Sequence, residues 1–288
     1  MLAHLEHAYG IWHVEGGLSS ISESMARLFV SKGGDLRLSA PVRKIVTENR
    51  NATGVRTDEK GFEPFDRIVV NADFSHAVTT LFEPSDVRKY RPEKLRKKGY
   101  SCSTFMAYLE LDGIYPDEPH HNIIFGRQYR RAVDAINNEE PWIEDFSVYV
   151  RNACVTDPTI APEGKSSLYL LVPVPNARAG IDWEARKDEF LDRVIDSVAE
   201  RTGMKDLRSR IRYRHVITPT DWVGRGVYEG ATFNLAHSLD QMLYFRPRNA
   251  FECVGNCYLT GGGTHPGSGL PTIYQSAVIV ADLLDGRK

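Results

Sequence analysis

Cysteine is scarce in this chain. The four present, Cys102, Cys154, Cys253 and Cys257, are too few for a disulfide framework over 288 residues. Cys253 and Cys257 stand four apart without a C-x-x-C pair or clustered histidines, so they read as free thiols in a reducing cytoplasm rather than metal ligands. There is no H-E-x-x-H and no carboxylate-rich loop. The adjacent His120 and His121 are expected to point apart on a strand, so no metal is assigned. No G-x-S-x-G occurs and no Ser or Cys has an evident His partner, which removes the usual basis for a hydrolase. No apolar run approaches ~18 residues, so no spanning helix is expected, and the first residues do not have the make-up of a signal peptide. An excess of one charge is missing too: 36 basic and 38 acidic residues leave −2, with no global case for nucleic-acid binding.

What remains is an ordinary globular composition, 42% hydrophobic and 26% charged, in a chain long enough for a large core and two lobes. Residues 1–81 read as a compact α/β unit. Ser20 with Glu23 resembles a capping box, Leu18, Ile21, Met25, Leu28 and Phe29 fall at helical spacing, and Gly33 and Gly34 stop the helix. Residues 35–39 alternate as a strand does, Asn49 to Asn51 suit a hairpin turn between two strands, and 65–70 read as a buried strand ending at Asn71-Ala-Asp73. Residues 82–235 read as an antiparallel-sheet lobe, with an amphipathic helix over 182–201 and a loop over 219–230. Near its start, seven cations fall in the eleven positions 88–98. They read as a solvated segment or as a docking patch for anionic lipid head groups. Residues 236–288 close the chain and are expected to pack on the first piece.

Five glycines lie within the nine positions 261–269, between a short β-like run and a segment rich in Ala, Val, Ile and Leu. Glycine at that density costs backbone entropy and suits close approach to a ligand. The order strand, glycine loop, helix turns helix amides and a positive dipole end toward an anionic or electron-rich group such as a flavin. His265, inside the loop, reads as a catalytic group or as a structural side chain in a turn stiffened by Pro266.

Several stretches together resemble one family. Phe245-Arg-Pro247, Tyr258-Leu-Thr-Gly-Gly-Gly-Thr-His-Pro-Gly267, Gly269-Leu-Pro271, Gly230-Ala-Thr-Phe233 and Gln241 look like the C-terminal part of bacterial phytoene desaturases, the carotenoid-desaturating branch of the FAD-dependent amine-oxidase-like oxidoreductases. Gly10-Ile-Trp-His-Val-Glu-Gly-Gly17, Ala40-Pro-Val-Arg-Lys-Ile45, Gly54-Val55 and Val69-Val-Asn-Ala-Asp73 look like its central flavin-domain motifs, in the same order. The resemblance implies a mixed α/β fold, with 1–81 and 236–288 as parts of an FAD-binding domain and 82–235 as the substrate lobe. It places Val42 at the adenine side of FAD and Asn71 and Ala72 at the strand end beside the cofactor. Gly262, Gly263 and Thr264 fall against the phosphate and ribityl portion, and Gly269, Leu270 and Pro271 under the isoalloxazine.

It also implies an apolar polyene substrate, dehydrogenated by hydride transfer to flavin, and a cytoplasmic protein touching the membrane peripherally through 88–98. A hydrocarbon has no polar handle, which suits the absence of a convergent acid–base cluster, and no catalytic acid or base is assigned. The family's strand–G-x-G-x-x-G–helix unit has no counterpart here. The expectation is therefore a fragment, a truncated gene product or one subunit of a split enzyme. Without that unit FAD binding is expected to be weak, and in the split-enzyme case a second chain would supply the βαβ unit. The alternatives are another flavin-dependent carotenoid isomerase, ketolase or oxidase, or a non-catalytic remnant.

Overall fold

The computed structural model describes residues 2–286. The order is α1 (Leu2–Tyr9), α2 (Ser19–Ser31), β1 (Val42–Glu48), β2 (Asn51–Thr57), β3 (Gly61–Pro64), β4 (Ile68–Val70), α3 (Phe74–Thr80) and α4 (Pro92–Leu95). Then come β5 (Ser103–Asp112), β6 (His121–Ile124), α5 (Tyr129–Asn137), β7 (Val148–Asn152), β8 (Lys165–Val174) and α6 (Trp183–Arg201). The chain ends with α7 (Leu207–Arg210), β9 (Ile211–Ile217), α8 (Pro219–Gly224), β10 (Cys257–Leu259) and α9 (Leu270–Leu284). The mixed α/β class expected from the sequence holds.

The larger lobe is a five-stranded sheet of order β6-β7-β8-β5-β9, antiparallel throughout. Strand alternation assigns its two faces. Phe105, Leu109, Leu168, Leu170, Val172, Val148 and Val150 point one way and are buried. Against them packs α6, capped by Asp182, whose side chain accepts from the Ala185 amide at 3.1 Å. Its Phe190, Leu191, Val194, Ile195 and Val198 recur at helical spacing and complete that core. Met106, Tyr108, Tyr149, Arg151, Tyr169 and Leu171 occupy the opposite face, which no long helix covers.

The smaller lobe joins the two ends of the chain. β1, β2 and β3 form an antiparallel sheet whose first turn uses Asn49 and Arg50 in the left-handed region, φ 49° and 64°. β4 pairs with β10 in parallel, Ile68 with Cys257 and Val70 with Leu259. Its core also takes Phe82, Val87, Tyr90, Leu95, Tyr100, Ala231 and Leu235. Residues 82–100 and 231–235 therefore pack with this lobe, and the boundaries read at 82 and 236 move inward. The reason is local: Phe82, Tyr90 and Leu95 turn apolar groups inward from a charged segment whose cations stay outside.

Several local readings change. α2 starts without the Ser20 cap, because the turn at Gly16 and Gly17 supplies backbone acceptors: the Ser20 and Ile21 amides donate to the Gly17 and Leu18 carbonyls, each at 3.2 Å. Residues 35–39 form no strand, since no neighbouring strand pairs with them among the described residues, and Arg37 bridges Asp35 and Glu63 instead. The loop read over 219–230 begins as α8, with a capping box between Thr218 and Asp221. Only 68–70 of the stretch 65–70 is strand, and Phe65 and Val69 are exposed.

Two apolar surfaces lack cover. No residue of α2 is buried, and Leu18 just before it and its own Met25, Leu28 and Phe29 are all more than half exposed. β4 has β10 as its sole strand neighbour among the described residues. Two-stranded parallel pairing is rarely left this way, since parallel sheets are normally covered and extended.

Leu191 and Leu28 separate these environments experimentally. Leu191→Ala, in the closed core, is expected to lower unfolding free energy by about 2–5 kcal/mol. Leu28→Ala, on the bare face of α2, should stay within about 0.5 kcal/mol of the parent. Urea unfolding followed by circular dichroism measures both, and equal losses would contradict this assignment of faces.

Candidate functional site

β4 and β10 run in parallel and end side by side, so the turn Asn71-Ala-Asp73 meets the loop 260–269 at their carboxyl ends. That crevice is where open parallel sheets hold ligands. Asn71 Oδ1 lies beside Gly261, 3.0 Å from where a Cβ there would sit, and Gly261 has φ +108°. At Gly263 a Cβ would come within 2.6 Å of Phe74 Cβ and 2.7 Å of Asn234 Oδ1. Part of the glycine density thus serves the chain's own packing rather than a ligand.

The loop is tied down from three sides. Ser276 Oγ, wholly buried on α9, accepts from the Gly261 amide at 3.2 Å and lies 3.3 Å from Thr264 Oγ1. Asn249 Nδ2 reaches the Leu259 carbonyl at 3.1 Å, the His265 carbonyl at 3.0 Å and Ser276 Oγ at 3.0 Å. Arg246 completes the set. It is 2% exposed, and its guanidinium donates to the carbonyls of Gly262 at 2.7 Å, Thr264 at 3.2 Å, Leu235 at 3.3 Å and Gln241 at 3.5 Å. Burial pushes its pKa down to about 10, still far above neutrality, so it remains a cation. No carboxylate pairs with it among the described residues.

Beyond the loop, α9 starts at Gly269, φ +105°, with no side chain capping its first amides. Gly269, Leu270 and Pro271 are exposed, so a bare, positively polarised helix end adjoins the crevice. Asp73 caps α3 through Oδ1, which accepts from the His76 amide at 2.9 Å, while its Oδ2 is buried without a partner. Burial raises its pKa.

The sequence-assigned positions divide between two places. Gly262, Gly263, Thr264, Gly269, Leu270 and Pro271 form the loop and the helix start. Val42, Asn71 and Ala72 line a groove of about 770 Å³ with Phe29, Val55 and Phe65. Asn71 is the hinge between them, since it lines the groove and also touches Gly261. His265 contributes its backbone, donating to the Pro247 carbonyl at 2.9 Å. Arg246 was legible only as part of a motif, and Asn249, Asn234 and Ser276 carried no signal: a lone polar residue in an apolar helix or loop looks like any surface residue.

Parallel strand ends, a braced glycine loop and an uncapped helix N-terminus suit an electron-rich, anionic group such as a flavin dinucleotide. The residues present fit that group. No cluster of three or more His, Cys, Asp or Glu able to hold a metal occurs among the described residues.

A second cavity, about 1010 Å³, lies on the open face of the five-stranded sheet. Its floor is Met106, Tyr108, Tyr149, Tyr169 and Leu171, and its roof is the strap of residues 11–18 with Trp12. Asp157 holds the strap: its Oδ2 accepts from the Gly16 amide at 2.8 Å and from His13 Nε2 at 3.1 Å. Bonds from Thr159, Gly16 and His13 hold that carboxyl well below the usual carboxylate range. His120 and His121 do not point apart as their adjacency suggested. Their ring centroids are 4.2 Å apart, because β6 begins only at His121 and His120 sits on the turn before it. No helix among the described residues is long and apolar enough to cross a membrane.

The family described as flavin containing amine oxidoreductase matches residues 1–284. A 4,4'-diapophytoene desaturase (4,4'-diapolycopene-forming) from a Methylomonas species is 47% identical over 100% of this chain and 56% of its own length. An all-trans-zeta-carotene desaturase of Myxococcus xanthus is 39% identical over 99% of this chain and 54% of its own. Putrescine oxidase bound to putrescine is similar in fold, with a TM-score of 0.61 at 15% identity, covering 94% of this chain and 53% of that one. The chain spans little more than half the length of these relatives.

Arg246→Met keeps volume but strands four carbonyls, and is expected to cost about 2–5 kcal/mol of stability. Arg246→Lys, with fewer donors to offer, is expected to cost less. Denaturant midpoints decide it: a methionine variant as stable as the parent would remove Arg246 from this role.

Proposed function

The chain belongs to the flavin containing amine oxidoreductases, and on that footing we propose that it forms the substrate lobe and one side of the FAD site of a carotenoid desaturase. The observation that carries this reading is the cavity over the open sheet face. Its length of aromatic and apolar wall suits a polyene, whose binding comes from buried apolar area. A bound FAD would supply the hydride acceptor for a dehydrogenation in which the polyene loses a hydride and a proton from neighbouring carbons and gains a conjugated double bond. The chain's own residues bind and orient. The loop braced by Arg246, Asn249 and Ser276 and the α9 N-terminus would hold the electron-rich part of the cofactor, and the aromatic floor of the cavity would orient the polyene.

The remaining cofactor contacts come from a strand–helix unit that extends the parallel sheet at β4 and covers α2. The uncovered face of α2 and the single neighbour of β4 support this. Alone, the purified chain is expected to take up added FAD weakly. With a second polypeptide carrying a G-x-G-x-x-G βαβ unit, flavin absorbance should approach stoichiometric. A protein colourless in both cases would sink the assignment.

Contact with the membrane is proposed through 88–98, where Tyr90 and Leu95 are buried and Arg91, Lys94 and Lys97 are left to solvent. Binding to anionic liposomes at low salt, lost as salt rises, is the expected outcome. No pelleting with anionic vesicles at low salt would count against it.

A further inference from the structure

One end of the cavity over the sheet carries groups that a hydrocarbon has no use for. His13, His120, His121 and Arg151 gather there. The rings of His13 and His120 are 5.1 Å apart, and Arg151 stands opposite His121 in the β6–β7 ladder. Arg151 Nε donates to His120 Nε2 at 3.3 Å.

The one carboxylate facing the cluster is already engaged. Both Asp157 oxygens are taken, Oδ2 by Gly16 and His13 and Oδ1 by the Thr159 amide at 3.0 Å and hydroxyl at 2.5 Å. The Nη groups of Arg151 therefore have no acceptor or carboxylate partner among the described residues. His121 Nδ1 is 2.7 Å from the Tyr149 hydroxyl, which leaves Nε2 available. Burial, then the neighbouring His121, Arg151 and His13, hold the His120 pKa down, so that ring is neutral and Arg151 carries the local positive charge. The result is a forked cation with free Nη groups and an imidazole at one end of an aromatic-walled cavity, beside an Asp157 carboxylate whose oxygens are bonded elsewhere. A planar fork of N–H donors matches carbonyl and carboxylate oxygens.

We propose that this cavity takes a linear polyene ending in a carbonyl or carboxylate oxygen, bound by Arg151 and His121, with the chain laid along Tyr108, Tyr169, Met106 and Leu171. The proposal rests on reading the cavity as a polyene site and narrows the substrate class to oxygen-terminated chains.

The test is a titration of the protein with a linear polyene hydrocarbon and with the same polyene ending in an aldehyde or a carboxylate. Quenching of tryptophan emission is followed, with Trp12→Phe locating the signal at the cavity roof. The oxygen-terminated ligands are expected to bind about tenfold tighter or more, the margin of a hydrogen bond to a charged group. Arg151→Met is expected to bring the ratio of affinities close to one, and Arg151→Lys to keep part of it. His121→Phe, at an exposed position, should lower the ratio in the same direction and serves if the methionine variant does not fold. A parent ratio near one, or a ratio that survives both Arg151→Met and His121→Phe, overturns the proposal and leaves the polyene site standing. No binding of any polyene overturns both.

Discussion

Three residues of parallel pairing, Ile68 to Val70 against Cys257 to Leu259, hold this architecture closed. The two strands are far apart in sequence, and a whole antiparallel lobe lies between them. Their pairing costs loop-closure entropy that only the buried contacts around it offset. Phe74, Ala77, Val78, Phe251 and Val254 supply those contacts. Because the strands are parallel, both carboxyl ends fall on one side, and the turn at Asn71 is set against the glycine loop. An antiparallel pairing of the same residues would place the two turns at opposite ends.

The loop itself is an exercise in satisfying backbone groups without regular structure. A buried carbonyl without a donor is expensive, and the stretch around 260–269 offers many. Arg246 answers this from below, Asn249 from the side and Ser276 from α9. A cation is an unusual choice for such a place. Its charge, with no acid beside it, adds to the positive end of α9 and makes the region favourable for electron-rich groups.

Much of the architecture was legible because it follows periodicity. The antiparallel sheet read within 82–235 and the amphipathic helix read over 182–201 are both present, the helix at Trp183–Arg201. Those signals fail where the chain's partner is not periodic. Residues 35–39 alternate, yet an alternating stretch is a strand only when another strand accepts its hydrogen bonds. Ser20 had the right neighbour in Glu23, but the glycine turn before it had already supplied acceptors. At the site, the glycines were legible as a cluster, while the reason for Gly263 was not. It depends on Phe74 and Asn234, which are distant in sequence and invisible to any local pattern. The histidine pair misled for a related cause, since alternation on a strand governs His121 but not the turn residue before it.

The strap over the sheet is fixed before anything enters the cavity. Asp157 closes a contact across 141 residues of sequence to Gly16 and across 144 to His13, and Thr159 holds the carboxylate in place. The ordering entropy of the roof is therefore spent during folding, not on association. A ligand meets a roof already in place over the sheet. A variant that lost the Asp157 contacts would instead meet the cost of ordering the strap at the moment of binding, and its affinity would fall although no residue touching the ligand had changed.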